Sequence, residues 1–226
     1  MYKVSGLPIS FTVRKMELRL SSSQQELLKW LAIVLMVLDH VGFFLEQYTW
    51  LRYVGRVVYP IFAYLVAYNY LHNTRSKERY LKRLFFWALI SQPIYMLAMG
   101  ASLNILFTIL LGMLVVYVFE NQKPYAILLC VLLVPIAFFT SYGVAGVVLV
   151  PSFYLLLKHI KFAPLLAFTL AFLNAPKYLL FTALSIPLIA LAARFDGVIG
   201  RTSGVYFYAF YPAHLAVLWL VLSSNT

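Results

Sequence analysis

KWLAIVLMVLDHVGFF, residues 29–44, is an apolar run that ends in an acid beside a histidine. With its flanks it forms a segment of membrane length, roughly 25–48, since a bilayer core takes ~20 residues of helix. Counted from Leu27 at ~1.5 Å per residue, His40 lies ~20 Å along that helix, in its far half. Ionisable side chains there are costly and point to function by default. Neighbouring helical residues diverge by ~100° and do not face each other. Asp39 therefore needs a partner other than His40. Arg52 and Arg56, four residues apart on the next segment, are placed to supply it. Pairing of Asp39 with an arginine leaves His40 free to take a proton.

The rest of the chain has the same character. Of its 226 residues, 63% are hydrophobic and 11% charged, against ~25% charged in ordinary soluble domains. Nine apolar segments are predicted, near 25–48, 54–72, 80–99, 103–119, 125–140, 143–157, 162–174, 177–193 and 205–223. The seventh is the weakest: its stretch FAPLLAFTLAFLNAPK, residues 162–177, is short and contains Pro164 and Pro176. The expected fold is all-α, a polytopic membrane bundle of about nine helices. It forms one domain over 25–226, preceded by a basic arm over 1–24. The net charge of +11 would suggest nucleic acid in a soluble protein. Here the cations gather in and just after the arm (Lys3, Arg14, Lys15, Arg19, Lys29) and in the short loops 73–83, 158–161 and 194–201. The loops at 99–104 and 140–143 carry no charge. Nine spans put every strongly basic loop on one side, which the positive-inside bias makes the cytoplasm, with the N-terminus there. No nucleic-acid partner is expected; the partner is the bilayer. A lone cysteine, Cys130, excludes an internal disulfide and offers no metal cluster.

Further polar groups fall at the depth of His40. Ser91 and Gln92 lie past the middle of the third segment. Asn104 and Thr108 open the fourth, and Tyr208, Tyr211 and His214 sit mid-way along the ninth. The topology predicts that His40, Arg56, Gln92, Asn104, Thr108 and His214 line one cavity open to the outside. The plain alternative is that Gln92, Asn104 and Thr108 are hydrogen-bonding glue between helices, and that His214 is a core residue. A histidine in a partly dry cavity serves as a general base on an amine or hydroxyl, and arginine or amide donors hold an oxyanion or phosphate. A proton-coupled transporter uses the same residue types. No metal-ligand spacing, glycine-rich phosphate loop or Gly-x-Ser-x-Gly elbow is present.

The ordered pieces KWLAIVLMVLDHVG, LRYVGRVVYPIFAYLVAYNY, YLKRLFFWALISQPIY and NILFTILLG, spanning 29–112, resemble the TraX family, and FYAFYPAHL (207–215) is a weaker match. That family acetylates the N-terminus of a pilin subunit in conjugation and is distantly similar to the acyltransferase-3 membrane enzymes. The resemblance implies an acetyl-CoA-dependent acyltransferase of the bacterial inner membrane. It implies His40 as the base, with Asp39 and Arg56 in the catalytic set. Ser91, Gln92, Asn104, Thr108, Tyr211 and His214 are then expected around the substrate or oxyanion, with no metal. Arg75, Lys77, Arg79, Lys82 and Arg83 are expected on the donor's phosphates. An O-acyltransferase acting on a glycan or lipid, and a transporter or pilus-assembly scaffold, remain as alternatives.

Overall fold

The structure is a computed structural model that describes residues 19–173 and 177–222. The basic arm's Lys3, Arg14 and Lys15, and Pro176, lie outside the described residues. Those described form eleven α-helices: α1 (Ser22–Phe44), α2 (Leu51–Gly55), α3 (Val58–His72), α4 (Lys77–Met99), α5 (Ile105–Glu120), α6 (Ala126–Phe138), α7 (Gly143–Lys158), α8 (Ala163–Leu173), α9 (Leu179–Ala183), α10 (Ser185–Ala192) and α11 (Gly204–Leu222). Among them no strand forms, apart from a single bridge between Leu103 and Thr140.

Local chemistry sets the helix ends. Ser21 and Gln24 form a capping box at the start of α1: the Ser21 hydroxyl accepts from the Gln24 N–H at 3.2 Å, and the Gln24 side chain accepts from the Ser21 N–H at 2.8 Å. This satisfies two of the orphan donors at the helix start. Asn104 caps α5 by accepting from the Leu106 N–H at 2.9 Å. Seven of the nine predicted segments correspond to single helices. The other two are broken: the second into α2 and α3 around Arg56 and Val57, and the eighth into α9 and α10 at Leu184. The first helix stops at Phe44, four residues short of its predicted end, and Glu46–Tyr48 form a 3₁₀ turn.

Among the described residues two helices, α1 and α11, are long and apolar enough to cross a membrane. Helix α4 matches α1 at 23 residues, but its first two turns carry Lys77, Arg79, Lys82 and Arg83. Helices α5 and α7, at 16 residues each, reach only ~24 Å. The outer surface is nonetheless apolar. Ile127, Phe138 and Phe139 around α6, Phe168 and Phe172 on α8, and Leu97 on α4 are all exposed, and such a surface marks membrane or partner contact.

The centre is built on α3, which packs against α1 and α7. Its tyrosines face inward: Tyr59, Tyr64, Tyr68 and Tyr70 are all buried. Tyr59 donates to the Gly146 carbonyl of α7 at 2.6 Å and stacks on Tyr142 at 4.3 Å. A buried phenol usually takes such a partner. Helices α4 and α11 pack together and complete the wall beside α1.

Candidate functional site: two cavities meeting beside His40

One face of α1 carries Lys29, Ile33, Met36 and His40, spaced by four, three and four residues, which is helical periodicity. Cavities open at both ends of that stripe. Near its C-terminal end a cavity of about 220 Å³ is lined by Asp39, His40, Arg52, Arg56, Tyr95 and Tyr142, among others. Near its N-terminal end a larger one, about 640 Å³, is lined by Lys29, Asn69, Asn73, Tyr80, Arg83 and Arg201, among others. Met36, Ile105 and Tyr211 line both, so these three side chains form the septum between them.

Helix α2 is docked on the end of α1 through two glycines. A Cβ on Gly55 would overlap the Asp39 side chain, and one on Gly42 would lie 2.8 Å from the Tyr48 carbonyl and 2.9 Å from Leu51. This close approach delivers Arg56 to Asp39. The two form an ion pair whose side chains are 11% and 13% exposed. The Arg56 Nε also donates to the Arg52 carbonyl at 3.2 Å, and its guanidinium lies over the rings of Tyr178 and Tyr142, at 5.5 and 6.0 Å from their centroids. Arg56, not Arg52, is the partner of Asp39. Although adjacent in α1, Asp39 and His40 both reach the same cavity, because α2 folds across the helix end.

His40 is buried, and its Nδ1 lies 2.7 Å from the Met36 carbonyl one turn back. That contact places the ring proton on Nδ1 and leaves the Nε2 lone pair available. His214 repeats the arrangement on α11, with Nδ1 2.9 Å from the Phe210 carbonyl. Its Nε2 then faces His40 Nδ1 at 3.4 Å, with the rings edge to face at 4.9 Å. A proton accepted at Nε2 of His40 makes an imidazolium whose Nδ1–H already meets two acceptors. Sequence reasoning put His214 near the substrate; the structure puts it behind the first histidine.

Several expected lining residues are used elsewhere. Ser91, Gln92, Asn104 and Thr108 line neither cavity. The Gln92 Oε1 accepts from the Asn104 backbone N–H at 3.0 Å and from its Nδ2 at 2.9 Å. Asn104 Nδ2 also donates to the Ala88 carbonyl at 2.8 Å, and Gln92 Nε2 to the Ser102 carbonyl at 2.9 Å. Ser91 donates to the Trp87 carbonyl at 2.7 Å, and Thr108 is fully buried in the helix packing. Amides that find backbone partners at a helix junction have little left for a ligand; these pin α4 to the start of α5. Tyr208 and Tyr211 do line the larger cavity.

The basic loop divides too. Arg83 lines the larger cavity, its guanidinium 5.3 Å over Tyr80 and 5.4 Å over Tyr208. Arg75, Arg79 and Lys82 are exposed and line neither cavity. Lys77 donates to the Tyr70 carbonyl and sits 4.0 Å over its ring, and burial lowers its ammonium pKa from the usual range. The other two cavity cations, Lys29 and Arg201, read as topology signals in the sequence. The α1 stripe was the signal for Lys29; nothing local marks Arg201. Lys29 also pairs with buried Glu26 at 2.8 Å. Tyr95, Ser141 and Tyr142 were missed as well. Ser141 and Tyr142 come from an uncharged loop, where Ser141 Oγ donates to the Leu103 carbonyl at 2.8 Å and lies 2.9 Å from the Tyr95 hydroxyl. Among the described residues no group of three or more His, Cys, Asp or Glu is placed to hold a metal.

The family described as TraX protein matches residues 24–222, from the start of α1 to the end of α11. The chain belongs to the TraX family. It is 30% identical over 218 residues to protein TraX of Escherichia coli, covering 88% of this chain and 87% of that one. It is 31% identical over 231 residues to the probable fimbrial assembly protein FimC, serogroup H1, of Dichelobacter nodosus, covering 84% of this chain and 92% of that one. No solved structure matches. The TraX match includes both cavities and the septum; the likeness to a fimbrial assembly protein places one similar chain, by its name, in pilus biogenesis.

Proposed function

We propose that this chain is a multi-pass acyltransferase of the bacterial inner membrane that moves an acetyl group from acetyl-CoA to the N-terminal amine of a pilin subunit. The observation that carries the reading is the pair of cavities at opposite ends of the α1 stripe, which share Met36, Ile105 and Tyr211 in their walls, with His40 lining the smaller one. A donor confined to the cytoplasm and an acceptor outside it need such an arrangement. In this reading the Lys29 end faces the cytoplasm, as the positive-inside bias requires, and the N-terminal arm lies there too. The apolar surface and the TraX membership support the membrane setting. The short helices then cross where the bundle is thin or where partner helices cover their ends.

The chemistry follows from the residues. Lys29, Arg83 and Arg201 line the larger cavity and hold the phosphates of acetyl-CoA. The thioester carbonyl reaches the septum. In the smaller cavity His40 Nε2 removes a proton as the amine nitrogen attacks that carbonyl. The tetrahedral oxyanion forms beside Tyr211, the phenol that lines both cavities, and this hydroxyl is its donor. Collapse breaks the carbon–sulfur bond. The thiolate leaves as coenzyme A after taking the proton from the His40 imidazolium, and the amine has become an amide. His214 and the Met36 carbonyl hold the His40 ring and its Nδ1 proton through the cycle. The Asp39–Arg56 pair fixes α2 over the cavity.

Acetyl-CoA binding to the purified protein in nanodiscs tests the reading. Binding that coenzyme A displaces, and that weakens about tenfold in Arg83→Gln, supports it. Absence of binding removes it in favour of a transporter or scaffold.

A further inference from the structure

Helix α2 brings two arginines to the smaller cavity, and α1 answers with one carboxylate. Arg56 takes that carboxylate. Arg52 has no acidic partner among the described residues, so the cavity walls carry one cation in excess. Its Nε is buried and has no hydrogen-bond partner. The rest of the side chain is held in place. The guanidinium lies 5.2 Å over the Phe43 ring. The Cγ is so close to α1 that a Cβ on Gly42 would stand 3.1 Å from it. A charged donor left unsatisfied away from water costs more than a neutral one. A guanidinium fixed in orientation is suited to a two-pronged bond with a carboxylate. The excess positive charge would also repel an incoming ammonium unless the acceptor carried its own anion.

We propose that Arg52 is the acceptor-recognition subsite, and that it binds a carboxylate close to the acceptor's N-terminal amine. This rests on the reading that the smaller cavity receives the acceptor. A cavity of about 220 Å³ admits only a few residues of extended chain at ~3.5 Å each. The acid therefore belongs within the first few residues of the peptide.

The test measures binding without acetyl-CoA, so it needs no turnover. The probes are an eight-residue alanine–glycine peptide with a free N-terminus and aspartate at its third position, its asparagine twin, and short-chain phosphatidylethanolamine, whose amine lies near a phosphate. Wild-type protein in nanodiscs is expected to bind the aspartate peptide at least tenfold more tightly than the twin. Arg52→Gln should erase that preference, and Arg52→Lys, which keeps the charge but loses the fork, should retain part of it. Acetyl-CoA binding at the other cavity should stay unchanged in both variants, which shows that they fold. Equal binding of the two peptides by wild type overturns the proposal. So does a preference that survives in Arg52→Gln, and so does loss of acetyl-CoA binding in the variants. Arg52-dependent binding of phosphatidylethanolamine that exceeds the aspartate peptide overturns the peptide assignment and gives the subsite to a lipid phosphate. If the subsite behaves as expected while acetyl-CoA does not bind, the acyltransferase reading falls and the subsite stands.

Discussion

The two cavities share three side chains and little else. The larger one is bordered by cations from three separate parts of the chain, Lys29, Arg83 and Arg201, of which Arg83 and Arg201 are exposed. The smaller one takes its charges from two adjoining elements, α1 and α2, and there an ion pair, a paired histidine and a single leftover arginine sit close together. A site that grips a flexible polyanion tolerates dispersed, partly hydrated cations. A site that moves a proton needs groups whose positions are fixed by their neighbours. Substitutions at the smaller cavity should therefore act on turnover, stability or acceptor affinity, and those at the larger cavity on donor affinity alone.

The largest separation is expected at His40. His40→Ala should lower acetyl transfer by about 10²–10⁴-fold, the range that general-base catalysis contributes, and leave acetyl-CoA affinity as it was. Kinetics beside binding isotherms check this; a parallel loss of affinity would merge the two cavities into one function. Next comes Asp39→Asn, which strands the Arg56 cation. Stranding one partner of a buried pair costs about 3 kcal/mol or more, so the midpoint of thermal unfolding in detergent should fall by several degrees. Asp39→Asn with Arg56→Gln should recover part of the loss. An unchanged midpoint in the single variant would mean that the pair does not hold α2 in place. Arg83→Gln should weaken acetyl-CoA about tenfold with kcat at saturating donor unchanged. The smallest effects separate positioning from catalysis. His214→Ala should lower kcat several-fold and His214→Gln, which restores an acceptor toward His40 Nδ1, should recover most of it. Lys82→Gln, outside both cavities, should change neither binding nor rate.

What the sequence revealed depended on how local the cause was. Asp39 and His40 stand out because charge in an apolar run is conspicuous, and the four-residue spacing of Arg52 and Arg56 narrowed the partner of Asp39 to these two, between which only the structure chooses. The break around Arg56 and Val57 was invisible, since 54–72 reads as one apolar segment, while Gly42 and Gly55 let α2 dock closely on α1 apart from α3. The third segment, read as one span over 80–99, is one helix, and Pro93 lies inside α4 without ending it. Gln92 and Asn104 were expected at the depth of His40, but depth does not say which way an amide points, and each turned to a backbone partner. Ser141 and Tyr142 join the site because the 139–143 turn pairs with Leu103, which bonds to Phe139 at 2.7 Å and to Ser141 at 3.0 Å. Such a long-range backbone contact leaves no trace in either segment alone.

Sidedness tests the central claim most directly. The protein is reconstituted in one orientation in sealed vesicles, with acetyl-CoA labelled in the acetyl group confined to the Lys29 side and a peptide with a free N-terminal amine confined to the His40 side. Mass spectrometry of the peptide is the readout. The two-cavity account predicts label on the N-terminal nitrogen, falling by about 10²–10⁴-fold when His40 is alanine. No transfer across the membrane by wild type, with efficient transfer when donor and acceptor share a side, would contradict it.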